Sequence, residues 1–282
     1  MADGGHWDTQ PGVAGARAAT VAPARVLRVR LLGGFDVSFS SDETIPDSLW
    51  RLQKAKSVIK LLALAPGHRM RREQLMELLW PELESDAAAN NLYYALHVAR
   101  RALTSTGGPP GIHSQTLRLH QHMVSLEPIS GLWVDAETFE SAAAAAMRAD
   151  DLDAYTSALD LYTGDLLPED RYDDWATGRR EALRETYLRL LLTSAQLHTT
   201  QGDSAAAIEA LLRALAADPT REEAALALMR VYAASGQRQA ALRQYTLLAD
   251  ALQRELDSEP DRETQRLFQR IRDGQFAPTP TA

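Results

Sequence analysis

Asn90, Asn91, Tyr94, His97 and Arg101 are the residues of this chain whose types and spacing most suggest chemistry. They lie in the run Asp86–Leu103, where Leu92, Leu96, Ala99 and Leu103 recur at helical spacing and form one narrow apolar stripe. On a helix turning about 100° per residue, Asn90, Tyr94, His97 and Arg101 fall on the opposite side, flanked by Asn91 and Val98. Beyond the leading Asp86 this side carries no acidic residue. Solvated faces usually mix Glu and Lys. A face of Asn, Tyr, His and Arg suits base edges and phosphates, because Asn can hold adenine through two hydrogen bonds and Arg can hold guanine or a phosphate oxygen. An α-helix fits the major groove of duplex DNA, its leading residues reaching furthest in. The same pattern also fits a solvated face with a satisfied histidine and two tyrosines stacked on neighbouring helices, and periodicity alone does not separate the two.

Elements that could position such a helix surround it. Leu27, Val29 and Leu31 alternate with Arg28 and Arg30, and Phe35, Val37 and Phe39 alternate after Gly33-Gly34, which predicts two strands. A polar turn over Ser40–Glu43 and a short third strand near Ile45 come next, stopped by Pro46. Leu52–Ala65 predicts a helix ended by Pro66-Gly67. Arg71–Trp80 predicts a shorter one, with Leu75, Leu78 and Leu79 on one face, broken by Pro81. The Asp86–Leu103 helix is third. A Thr/Ser/Gly/Pro loop follows it, and Leu117, Leu119, Val124 and Leu126 then predict a hairpin. Cationic side chains around this frame could hold phosphates: Lys54, Lys56 and Lys60 on the first helix, Arg69, Arg71 and Arg72 at the start of the second, and Arg118 on the hairpin. The order of small sheet, three helices and hairpin favours DNA over the solvated face.

Charge divides the chain in the same place. Residues 25–128 hold 13 basic and 10 acidic residues, whereas 129–282 hold 16 basic and 26 acidic, within a total net charge of −8. The first half therefore suits a partner that the second half would repel. Residues 1–24, rich in Ala, Gly, Pro and Thr, read as a disordered tail, and 276–282 as a flexible C-terminus. The second half is helical in pattern and repeats. Gly202 and Gly236, Ala207 and Ala241, Leu211 and Tyr245, and Ala214 and Leu248 each stand 34 residues apart, with Pro219 closing the first unit. That period is the tetratricopeptide signature, and a generic αα-hairpin bundle is its alternative. Tyr155, Tyr162, Tyr187, Tyr232 and Tyr245 read as core or groove residues of this part.

Several activities are disfavoured. The chain has no cysteine, hence no disulfide, thiolate metal site or cysteine nucleophile. His113, His120 and His122 cluster near the hairpin, but no HExxH pairing accompanies them, so surface or DNA-facing histidines are the better reading. No GxxxxGK[ST] phosphate cradle and no G-x-S-x-G elbow occurs. The acidic run Glu169-Asp170 to Asp173-Asp174 lacks EF-hand spacing and reads as a solvated loop between helices. No apolar run approaches the roughly 20 residues that span a bilayer. No enzyme, cofactor or metal is expected, and a cytoplasmic location is.

These residues carry a resemblance. Arg28–Phe39, Gln53-Lys54-Ala55-Lys56, Leu61–Leu64 and Arg72–Pro81 resemble the OmpR-type winged helix, and Asn91-Leu92, Ala95-Leu96 and Arg100–Leu103 resemble its recognition helix. Trp133-Val134-Asp135 and Phe139 begin a segment similar to the bacterial transcriptional activator domain, a tetratricopeptide-like helical domain. Together they resemble the Streptomyces antibiotic regulatory protein family over about 27–275. The resemblance implies a mainly α fold: an N-terminal winged helix-turn-helix over 25–128, then an all-α tetratricopeptide-like domain over 129–275. It implies a sequence-specific activator that binds direct repeats in double-stranded DNA as side-by-side protomers and recruits RNA polymerase. Pro81, Glu82 and Glu84 would face polymerase, and a wing over about Ile112–Leu126 would reach the backbone or minor groove. With histidines where Arg and Lys are expected, that wing should hold phosphate weakly at neutral pH. No receiver module is recognisable before the winged helix and no ATPase module after the helical part, so control by phosphorelay is not expected. The alternative is an interaction adaptor whose winged helix no longer binds DNA, a reading that the modest positive charge of 25–128 keeps open.

Overall fold

The computed structural model describes residues 26–39, 44–104 and 116–276. The expected tail, the polar turn Ser40–Glu43, the loop after residue 104, His113 and the end of the chain beyond 276 lie outside them. The chain runs through β1 (Leu27–Arg30), β2 (Asp36–Phe39), α1 (Asp47–Trp50), α2 (Gln53–Leu64), β3 (Arg69–Arg71), α3 (Arg72–Leu79) and α4 (Ser85–Thr104). It continues through β4 (Leu117–His120), β5 (Met123–Leu126), β6 (Leu132–Val134), α5 (Asp135–Ala149) and α6 (Leu152–Leu159). The last helices are α7 (Asp174–Thr200), α8 (Ser204–Ala217), α9 (Glu222–Ala234), α10 (Arg238–Leu256) and α11 (Arg262–Arg272).

Two three-stranded sheets frame the N-terminal helices, in the orders β2-β1-β6 and β3-β5-β4. β1 pairs antiparallel with β2 and parallel with β6, so residues read only as opening the helical part form a strand that completes the first sheet. The third strand expected near Ile45 is only a bridge between Ser38 and Thr44. β3 was not expected. Arg69-Met70-Arg71 is too short to show a period, yet it pairs with β5 and makes the wing three-stranded. In α3 the buried face is Leu75, Met76 and Leu79, and Leu78 is 41% exposed, because only one side of this two-turn helix meets α2 and α4.

The 34-residue repeat sits on helical hairpins. Gly202 (φ +81°) turns the chain between α7 and α8, and Gly236 (φ +72°) between α9 and α10. Both adopt the left-handed conformation that glycine takes without penalty. Ala207, Ala214, Ala241 and Leu248 are fully buried, which lets the helices of successive hairpins approach closely. Tyr155, Tyr162 and Tyr187 are buried and Tyr232 and Tyr245 partly so. Tyr162 stacks on Tyr187 with centroids 4.2 Å apart, and Tyr245 on Phe268 at 4.1 Å.

The two halves share one hydrophobic core, and polar bonds stitch the seam. Asp135, the first residue of α5, accepts the Leu31 amide at 2.8 and 2.9 Å and the Leu32 amide at 2.9 Å. The other side of the same segment meets the chain before α7. The Leu31 carbonyl accepts from Leu167, the Gly33 amide donates to the Asp165 carbonyl, and the Leu32 carbonyl accepts from the Thr163 hydroxyl. A Cβ on Gly164 would lie 2.9 Å from the Gly33 Cα, so this approach requires glycine. Lys60, expected on a phosphate-facing cluster, is instead fully buried. Its ammonium bonds Asp170 at 2.5 Å and Glu169 at 2.9 Å and lies 4.8 Å from the Phe35 ring centre. The acidic run read as a solvated loop thus contributes a buried carboxylate, because an ammonium inside a core needs an opposite charge beside it.

Burial pushes the Asp135 carboxyl above the ordinary carboxylate range, and its amide donors pull it back. Burial also raises Asp165, but hydrogen bonds from Arg184 and Tyr162 outweigh it and hold this carboxyl below its usual value.

Replacing Asp170 with Ala should cost about 3 kcal/mol, because it removes the buried carboxylate and leaves the Lys60 ammonium only the more exposed Glu169. Asp135→Ala should cost about 2 kcal/mol or more by leaving two amides unmet. Urea denaturation followed by circular dichroism measures both, and the shared core predicts one cooperative transition rather than two. A lowered carboxyl contributes stability above its unfolded pKa, and that contribution is lost as pH falls through the folded value. Asp165→Asn should therefore be less stable than the parent at pH 7, with the gap narrowing below about pH 4 in melting scans.

Candidate nucleic-acid interface

α4 buries a wider stripe than the sequence suggested. Ala88, Leu92, Ala95, Leu96, Val98, Ala99, Ala102 and Leu103 all face the core, with α1, α2, α3 and β4 packed against them. Val98, expected beside the open face, is 7% exposed, since the core reaches around the helix there. The small alanines bring the neighbouring helices close and fix how the remaining side is turned. On that side Asn90, Asn91, Tyr94, His97 and Arg101 are all exposed, Tyr94 at 61%. The structure brings the five together on one helix face, and the acidic helices of the C-terminal half do not cover them.

The phosphate-holding candidates divide. Arg71 is exposed at the end of β3, and its amide donates to Gln74 at 3.2 Å. Arg72 is half-buried and bonds both the Glu73 carboxylate at 2.7 Å and the Tyr93 hydroxyl at 3.2 Å. Arg118 is exposed on β4, while Lys54 is half-buried on α2. Lys56 does not stand ready for phosphate. Its side chain is 15% exposed and its ammonium bonds Asp47 at 2.6 Å. α1, which carries Asp47 to this position, was not visible as an element in the sequence.

The wing is braced against α3 and α4. Arg100 donates to the Leu117 carbonyl at 2.9 Å, and the Arg72 amide donates to the His122 carbonyl at 2.8 Å. His122 approaches Glu73 at 3.3 Å. The hydrogen bond from Arg72, reinforced by His122, holds the Glu73 carboxyl below its usual value. His120 and His122 are exposed. Among the described residues no three His, Asp or Glu side chains gather as metal ligands would. Tyr93, 45% exposed and bonded to Arg72, also belongs to this surface and escaped the sequence reading, since its rotation about the helix places it beside the face rather than on it. Pro81, Glu82 and Glu84 are exposed in the turn between α3 and α4. No helix among the described residues is long and apolar enough to cross a membrane.

A family model for the bacterial transcriptional activator domain matches residues 134–272. No curated protein sequence matches the chain. Among solved structures, Mycobacterium tuberculosis EmbR, in complex with a low affinity phosphopeptide, is 20% identical with a TM-score of 0.68, and the match covers 92% of this chain and 67% of that one. A TPR-containing C-terminal domain of a Plasmodium falciparum FK506-binding protein is 14% identical with a TM-score of 0.31, covering 50% of this chain and 88% of that one. EmbR thus shares the fold, a small-sheet and helix unit followed by stacked helical hairpins. Residues 134–272 thus match a bacterial transcriptional activator domain, and the fold of nearly the whole chain is similar to that of EmbR.

Proposed function

We propose that this chain is a transcriptional regulator that binds specific sequences in double-stranded DNA, with α4 in the major groove, and activates transcription. One observation carries the reading. Asn90, Asn91, Tyr94, His97 and Arg101 stand exposed together on the third long helix of a winged-helix arrangement, and no acidic side chain lies among them. The amides of Asn90 and Asn91 would read base edges near the start of the helix, while Arg101 would meet a base or phosphate further along. Arg71, Arg72, Arg118 and Lys54 would set the register on phosphates. Lys56 and Lys60 are left out, because the Lys56 side chain is only 15% exposed, against 31% for Arg72, and Lys60 is fully buried.

In this reading residues 25–128 form the DNA-binding domain and 129–275 the partner-facing one. The exposed turn with Pro81, Glu82 and Glu84 would face RNA polymerase. Protomers would sit side by side on direct repeats.

Selection of bound fragments from genomic DNA, followed by gel-shift titration, tests the proposal. A retained fragment with repeated half-sites is expected. Asn91→Ala should weaken binding to it by about 1–3 kcal/mol and relax preference at one position. Arg71→Ala should weaken all sequences alike and lower the salt slope by about 1. Neither change should move folding stability by more than about 0.5 kcal/mol, because both residues are exposed. Failure to retain any fragment would favour the adaptor reading.

A further inference from the structure

A cavity of about 460 Å³ opens between α7, α8 and α9. Its volume falls within the roughly 300–1,000 Å³ typical of small-molecule sites. The floor is apolar: Leu192 and Ala195 from α7, Leu211 from α8, and Leu226, Ala227 and Val231 from α9. The hydroxyls of Thr193, Thr199 and Thr200 also line it, but each donates to a carbonyl of its own helix, at 2.9, 2.8 and 2.7 Å. They offer a ligand no committed donor.

Three arginines stand at the rim, and they differ. Arg221 grips Glu185 at 2.8 and 2.9 Å and lies 3.9 Å from Glu223. Arg230 bonds Glu263 at 2.5 Å. Arg189 is exposed and, among the described residues, enters no ion pair. The protein has met two of the three charges and left one. Glu223 also lines the cavity and would repel a second negative charge.

We infer that this cavity binds a small organic monoanion, with a compact apolar body on the floor and a single carboxylate or sulfonate held by Arg189. Such a ligand would touch both the α7–α8 hairpin and the first helix of the next one. It would thereby fix the angle between them, which is the coordinate along which stacked helical hairpins flex.

The full-length protein is titrated with 8-anilinonaphthalene-1-sulfonate and, separately, with its uncharged analogue N-phenyl-1-naphthylamine, both followed by fluorescence. Saturable binding of one equivalent of each is expected. Arg189→Gln, an exposed change, should weaken the sulfonate about tenfold and leave the neutral probe within about twofold. Ala227→Trp, which fills the floor, should weaken both. If that variant loses its far-ultraviolet circular dichroism, Arg189→Gln alone decides. Absence of one-to-one binding, equal sulfonate affinity for the parent and Arg189→Gln, or parental affinity in a folded Ala227→Trp would each overturn the assignment.

Discussion

The Asp135 carboxylate accepts the amide protons of Leu31 and Leu32, and this contact joins the N-terminal sheet to the first helix of the activator domain. The backbone just past β1 has left its strand partners and would otherwise carry unpaired polar groups into the core. Asp135 meets one edge of it, and the chain from Thr163 to Leu167 meets the other. Lys60 then places a buried cation from α2 against Asp170. An ion pair of this kind adds little net stability over apolar packing, but breaking it is costly, so it specifies how the parts fit. The result is a joint in which β6 belongs by sheet to one half and by sequence to the next.

That joint determines what α4 can do. A helix of 20 residues, about 30 Å long, is held by α1, α2 and α3 along a wide alanine-rich stripe. Its open side is therefore presented at a fixed angle relative to the activator domain. The core takes up only the buried stripe, which leaves the outward positions exposed. The wing is tied to the same platform through Arg100 and the Arg72 amide.

Much of this was legible in the sequence, where periodicity is long enough to speak. The α4 face, the β4–β5 hairpin and the glycine-turned helical repeat follow from alternation and spacing that span several residues. What stayed hidden was either short or non-local. β3, with three residues, and α1, with four, give no period to read. Lys60 shares a helix with Lys54 and Lys56, and nothing near it in sequence announces a partner more than 100 residues away. Asp170 likewise looks like one more surface acid until the fold brings it to Lys60. Asp135 was noted only as part of a motif opening the helical half, and its bond to Leu31 became visible only with the sheet in place. Sequence patterns report which side of an element faces inward; they do not report which buried charge meets which.

In the proposed function the outward side of α4 lies against base edges. Photocrosslinking to a selected DNA fragment substituted with 5-bromouracil, whose halogen sits in the major groove, tests it most directly. The expected result is a crosslinked peptide from α4 containing Tyr94, lost when Tyr94 is replaced by Ala and absent from unselected DNA. Crosslinks confined to the wing or to the activator domain, on a fragment that the protein demonstrably binds, would contradict it.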